Sequence, residues 1–334
     1  MELPLLRLGL AGFSAEQDDQ LNLLLQQVST SNWQIGRFAD ADAWWVNGAR
    51  VQMLLDSTIR IGSGEPGGRS LHLDLRGVDR PVAFALPLAS PQFDPLCTFQ
   101  AQSLPSVAAV LEKFEAWVRP LIAQFYLAAR ILEQESVLGP AVHHVTADGV
   151  LIGVVNMRGE TGVLPTAGPI DFENAMWERR PASAGAIPEH FARSSLAQLM
   201  WQFAVRTNRD ILPARYRTGL LYFRRPPRLP PRLMTDSHLL LLRELACAPG
   251  DFTALQQRTG LGGQALARDL AALYFVGAIT SNPKRATRVP VRAAADSAHS
   301  HPNSVPSGMD AEPPAALPRL AFADLTAPAP IGTH

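Results

Sequence analysis

The sequence predicts a mixed α/β protein built of several domains, and three observations carry that expectation. Apolar strand patterns alternate with helical patterns through roughly the first 135 residues, as in a domain with a mostly parallel sheet. From Val142 the period changes to that of β-hairpins, which marks an α+β region. Residues 236–279, DSHLLLLRELACAPGDFTALQQRTGLGGQALARDLAALYFVGAI, hold three short helical patterns, punctuated by Pro249-Gly250 and by Gly260, Gly262 and Gly263. A chain of 334 residues exceeds one ordinary core. The expected order is an α/β domain (1–135), an α+β region (136–223), an Arg/Pro-rich linker (224–235), a small helical domain (236–287) and a disordered tail (288–334).

In the first domain, residues 5–11 (LLRLGLA) read as a strand, and Gly12-Phe13-Ser14 as a turn whose serine caps the next helix. That helix, residues 15–28, carries Leu21, Leu24, Leu25 and Val28 on one face. Residues 33–38 suit a second strand. Residues 43–46, after Asp40 and Asp42, suit a third that ends at Asn47-Gly48. Residues 71–75, 81–88 and 99–102 complete the strand set. The segment 62–69, GSGEPGGR, lacks the Gly-Lys-Ser/Thr spacing of a phosphate loop and reads as a flexible surface loop. A helical apolar face runs through residues 105–135, with Phe114, Trp117 and Phe125 read as core; Pro120 predicts a kink or split after about Trp117.

This order of elements resembles a receiver domain, the flavodoxin-like module of two-component signalling, over roughly residues 4–118. The resemblance implies an acidic pair after the first strand, an acceptor Asp ending the third, a hydroxyl after the fourth and a Lys after the fifth. Here Gly12-Phe13-Ser14, Asn47, Leu86-Pro87 and Phe99 stand at or just before those places. The implied domain is a degenerate receiver that the usual route does not phosphorylate; an unrelated α/β domain with the same element order is the alternative. Residues 236–279 similarly resemble the winged-helix branch of the helix-turn-helix group, with Leu239, Leu242 and Leu245 as one apolar face of the first helix.

In the middle region, His143 and His144 are neighbours on a strand and point to opposite faces, so they do not share a metal ion. Ser194 and Ser195 read as helix-start residues, since no G-x-S-x-G frame surrounds them.

Three sets of residues are candidates for binding. Arg76 and Asp79 spell RxxD, a pattern by which some diguanylate cyclases and related domains bind cyclic di-GMP; a guanidinium forks onto a guanine edge or a phosphate. Residues 224–232, RRPPRLPPR, place Arg224, Arg225, Arg228 and Arg232 on a stiff, extended segment. With Arg206, Arg209, Arg215 and Arg217 just before it, this is the densest basic stretch. It reads either as an anion site or as a linker whose arginines satisfy carbonyls and acidic neighbours. On the winged-helix-like unit, Gln264 and Arg268 of the third helix, with Lys284 and Arg285 of the flank, are the set that would meet DNA.

Formal net charge is +0, from 30 basic and 30 acidic residues, so there is no global pull toward nucleic acid or anionic lipid. Cys97 and Cys247 read as buried reduced thiols. The opening MELPLLRLGLAGF lacks the basic start of a secretory signal, and no apolar run approaches the length of a membrane span. No catalytic frame, metal spacing or cofactor motif is present. The expectation is a non-enzymatic, cytoplasmic signalling or regulatory adaptor of bacterial type, acting through protein–protein contacts and needing no cofactor. A cyclic di-GMP-type nucleotide effector and a DNA-binding transcription regulator are the alternatives.

Overall fold

The computed structural model describes residues 1–28, 32–54, 57–90 and 93–287. The expected tail, 288–334, lies outside the described residues.

Strand β1 (Leu6–Ala11), helix α1 (Ala15–Val28), β2 (Trp33–Gly36) and β3 (Ala43–Asn47) follow the expected order within a residue or two. Three short strands come next, β4 (Val51–Met53), β5 (Thr58–Ile61) and β6 (Leu71–Asp74), and then β7 (Val82–Ala85) and β8 (Thr98–Phe99). The central sheet has the order β2-β1-β3-β7-β8 with every pair parallel. Counting the parallel strands alone, this is 2-1-3-4-5, the order of a flavodoxin-like sheet. Period-two alternation gives the sheet two apolar faces. Leu6, Leu8, Ala43, Trp45, Ala83 and Ala85 pack under α1 and the following long helix. Ala11, Val46 and Phe84 face the antiparallel meander β4-β5-β6 through Val51, Ile59 and Ile61.

The Gly-rich segment does more than cross the surface. A Cβ on Gly64 would lie 1.6 Å from the Phe13 carbonyl oxygen, so only glycine lets the segment close against the β1–α1 turn. The Glu65 carboxylate then accepts the Ala15 N–H at 2.9 Å, at the start of α1. In open parallel sheets, ligands bind outside the carboxyl ends of the strands; here the chain's own carboxylate sits there.

Helix α2 (Leu104–Glu133) runs as one helix through Pro120, where a kink or split was expected, so it is not split. An interior proline costs about 3 kcal/mol or more. Burial at both ends offsets that: Val107, Val110, Leu111 and Phe114 enter the parallel-sheet core, and Phe125, Leu127 and Ile131 enter the next one. Trp117, read as core, is instead 60% exposed.

The middle region adds β9 (Val142–Ala147), β10 (Val150–Asn156), β11 (Glu160–Val163), α3 (Pro169–Glu173), β12 (Met176–Arg180), β13 (Ala192–Ser195) and α4 (Leu196–Ala204). Its five strands are all antiparallel, in the order β12-β9-β10-β11-β13. His143 and His144 alternate as expected; His143 is buried, and His144 Nε2 lies 2.8 Å from the Ala184 carbonyl. Ser195 caps α4 by accepting the Gln198 N–H, and Ser194 pairs with Thr161 inside the sheet.

The last part holds α5 (Ala214–Thr218), β14 (Tyr222–Phe223), α6 (Asp236–Cys247), α7 (Phe252–Thr259), α8 (Gly263–Phe275) and β15 (Ile279–Thr280), with β14 antiparallel to β15. The inward face of α6 is His238, Leu241 and Leu245, shifted from the expected leucines; Leu239 is half exposed. Cys247 is exposed and Cys97 half-buried, so neither is the buried thiol expected. Seven of the thirteen residues of α8 are buried, and α8 packs on α4. Helix α4 joins two cores: Leu199, Met200 and Phe203 face the middle region, while Trp201, Ala204 and Val205 face the C-terminal helices. All the described residues fall in one compact unit.

Candidate functional site

Where the parallel sheet, α2, α4 and the C-terminal helices meet, they enclose an open cleft of about 730 Å³. It lies at the amino ends of the parallel strands, the edge opposite the one Glu65 occupies. Arg7 comes from the start of β1, Arg37, Asp40 and Asp42 from the β2–β3 connection, and Asp79 and Arg80 from the β6–β7 connection. Trp117 comes from α2, Arg206 from just beyond α4, Arg232 from the segment before α6, His238 from α6, and Arg268 and Asp269 from α8. Six arginines thus meet four aspartates around one space.

The wall nearest the sheet is stiff for identifiable reasons. Gly9 lets residues 38–41 lie directly on β1, since a Cβ there would come within 2.9 Å of the Phe38 Cα. Phe38 stacks on Trp44 with centroids 4.4 Å apart, and the Trp44 indole N–H donates to the Phe38 carbonyl at 2.7 Å. The Arg80 guanidinium covers the other ring partner, 4.6 Å from the Trp44 centroid, and donates to the Ala41 carbonyl.

Asp42 ties this wall to the rest. One carboxylate oxygen accepts the backbone N–H of Arg7 at 2.9 Å. The other accepts from Arg206 at 2.5 Å, and both side chains of that ion pair are buried. Arg206 also donates to Gln202. Its Nε is buried with no partner among the described residues. Among the described residues the Arg7 guanidinium donates only to the Val205 carbonyl, at 2.8 Å. Burial, and then repulsion from Arg206, push the Arg7 guanidinium below its ordinary value, with Asp42 opposing. Neither Arg7 nor Arg268 has a carboxylate partner among the described residues. The rim charges are better matched. Arg37 pairs with Asp40 and Asp236. Asp79 takes Arg80 at 3.0 Å and Arg232 at 2.7 Å. Burial opposes ionisation of Asp79, but the hydrogen bonds and charges of the two arginines outweigh it and hold its carboxyl below the usual range.

His238 lines the floor. Its Nδ1 accepts the Thr235 N–H at 3.1 Å, which puts the ring proton of the neutral form on Nε2. That Nε2 is buried and makes no hydrogen bond among the described residues; Asp269 lies 3.4 Å away without the alignment for one. The Trp201 ring packs on the imidazole with centroids 4.4 Å apart. Burial pushes the His238 pKa below its usual value, Asp269 opposes this and Arg7 reinforces it. The unfolded chain therefore binds the extra proton first as pH falls. Stability is full above the unfolded histidine pKa of about 6.5 and is lost as pH drops from there toward the folded value. His238→Gln keeps an acceptor for the Thr235 N–H and removes the titration. Urea midpoints measured between pH 8 and 5 should fall less steeply in that variant than in the wild type; parallel curves would exclude the assignment.

The residues chosen from sequence are brought together only in part. Asp79 and Arg232 meet each other at the cleft rim. Arg76 does not join them: its Nε donates to Ser57 beside the meander. Arg225 donates to the Val276 carbonyl beyond α8, and the Arg224 guanidinium lies near Gly277. Arg228 is exposed and does not line the cleft. The four arginines of the RRPPRLPPR segment therefore do not converge. Of the set chosen for DNA, Arg268 lines the cleft, Gln264 lines a smaller hollow beside Arg209 and Arg217, and Lys284 and Arg285 are exposed on a turn after β15. Sequence reasoning missed Arg7, Arg37, Arg80, Trp117 and His238. Each sits singly in an apolar or mixed stretch, so no local charge signal marked it, and Trp117 shares the helical spacing of the buried Val110 and Phe114, which marks it as core.

Among the described residues no group of three or more His, Cys, Asp or Glu is arranged to hold a metal ion, and no helix is long and apolar enough to cross a membrane. The fold defines a mixed α/β protein with a flavodoxin-like parallel sheet followed by an antiparallel one. Comparison with protein-family models, with curated proteins and with solved structures found no match.

Proposed function

We propose that this is a cytoplasmic, non-enzymatic regulatory protein whose arginine-lined cleft binds a small phosphorylated ligand and passes the result on through protein contacts. One observation carries the reading: Arg7, Arg206 and Arg268 share a cleft in which Asp42 is, among the described residues, the only carboxylate hydrogen-bonded to any of them. Guanidinium groups gathered around a space and short of partners suit phosphate, which accepts paired N–H donors. Because the cleft is walled by the sheet, α4 and α8 together, a ligand there would bias how the C-terminal helices sit on the first domain.

The finer fold reading agrees with this role. As a receiver-like domain, the first one has Asn47 at the acceptor position. Its amide is committed to structure, donating to the Gly12 carbonyl at 3.0 Å and accepting the Ala49 N–H at 3.1 Å. A degenerate receiver would take its signal by binding instead of phosphorylation. As a winged-helix-like unit, the last one turns much of its third helix inward, where α8 lies on α4, and directs Arg268 to the cleft. That arrangement suits a ligand-coupled module better than a groove reader.

Calorimetry and thermal melting of the intact protein test the reading, with pyrophosphate, nucleoside diphosphates and a cyclic dinucleotide as probes. At least one probe should release or absorb heat and raise the Tm, and Arg268→Ala should weaken it about tenfold or more, the loss of one charge-assisted contact of about 1.5–3 kcal/mol. No heat and no Tm change with any probe at millimolar concentration would reject the cleft as a phosphate site.

A further inference from the structure

Resting on the cleft reading above, we propose that the ligand is a nucleotide: Arg7, Arg206 and Arg268 seat a phosphate, and the Trp117 indole stacks on the base. The chain has six tryptophans, and the one on the cleft wall in α2 is 60% exposed. The others are spent on the fold: Trp33, Trp44, Trp45 and Trp201 are each less than 9% exposed, and Trp177 is half-buried against the core of the antiparallel sheet. An amphipathic helix that buries Phe114 and Val118 yet leaves an indole between them in solvent presents a large flat apolar surface without using it in the fold. A bare oligophosphate or a sugar phosphate has no use for that surface. A base does, and stacking tolerates any base because each has a π-face.

The polar side of the cleft supplies the other half. Among the described residues, Arg206 is buried, with its Nε unpartnered, and the Nε2 of His238 is a second buried nitrogen without a hydrogen bond. Both atoms are closed off from solvent, so the phosphate meets the half-buried Arg7 and Arg268 guanidinium groups, which line the cleft with no carboxylate partner among the described residues. The space of about 730 Å³ lies within the range of about 300–1,000 Å³ usual for small-molecule sites.

The test is calorimetric, on the full chain at one fixed salt concentration, with AMP, GMP, ribose 5-phosphate and pyrophosphate as the four probes. A nucleotide should bind about tenfold or more tighter than ribose 5-phosphate, the share that stacking contributes. Trp117→Ala should bring the nucleotide down to the level of ribose 5-phosphate and leave ribose 5-phosphate unchanged, while Trp117→Phe keeps most of the preference. Because Trp117 is exposed, unchanged thermal melting of the free variants will show that the fold is intact. If nucleotides bind no better than ribose 5-phosphate, or if Trp117→Ala binds them like the wild type, the nucleotide assignment is overturned while the phosphate cleft stands. If none of the four probes binds, both fall.

Discussion

Replacing Asp42 by alanine is expected to destabilise the protein by about 3–5 kcal/mol, the range for removing one partner of a buried ion pair. Asp42 does two things at once. Its carboxylate holds the backbone N–H of Arg7 on β1 and the guanidinium of Arg206 beyond α4, 164 residues away in sequence. Without it, Arg206 keeps Gln202 as its hydrogen-bond partner, with Arg7 close by and no countercharge. The energy lost is mainly the cost of a stranded buried charge, not the worth of the pair. Asp42→Ala combined with Arg206→Met should therefore recover much of the loss. Urea unfolding reads the effect as a lower midpoint at unchanged m. A loss under 1 kcal/mol would mean that water reaches the pair. Asp42→Asn also separates stability from function: it should weaken the fold while tightening pyrophosphate, because the cleft loses its central negative charge.

Trp201→Ala is expected to cost a similar amount, about 3–5 kcal/mol for truncating a fully buried tryptophan. Trp201 is 1% exposed; its ring packs on His238, and its indole N–H donates to the Leu233 carbonyl at 3.2 Å. It is the α4 side chain that holds the segment before α6 against the rest. Its loss should therefore loosen that segment before the whole molecule unfolds. Trypsin should then cut after Arg228 or Arg232 several times faster than in the wild type, under conditions where the first domain stays intact. Equal cutting rates together with a lowered Tm would show instead that the chain comes apart only as a whole.

Much of the fold was legible because its signals are local. The apolar runs of residues 5–11 and 43–46, the Ser14 turn and the helical spacing of Leu21 and Leu25 are each signals contained within a few residues. The hairpin of β9 and β10 was marked by the turn residues Asp148-Gly149. Strands β4, β5, β12 and β13 were missed for a physical reason: they are three to five residues long, and partners elsewhere in sequence stabilise them. Strand β12, MWERR, is almost wholly exposed and owes its form to pairing with β9. The unbroken α2 has the same origin, since the cores at its two ends overrule Pro120.

The cleft was hardly legible at all. Asp79, Arg232 and Arg268 were noticed, but for separate reasons and in separate sites. A balanced composition of 30 basic and 30 acidic residues conceals where the charges go. An ion pair depends on the distance between its members and on how much water lies around them. Neither is set by neighbours in sequence when Arg7 meets the Val205 carbonyl across 198 residues and Arg232 meets Asp79 across 153. The sequence by itself determined the strands and helices that local periodicity specifies. The tertiary structure alone decided which arginines found carboxylates, which were left facing a common space, and that an exposed tryptophan would stand beside them. Folding brings those residues together to bury the cores of α2 and α4, and the partly matched charges lie where the buried surfaces end.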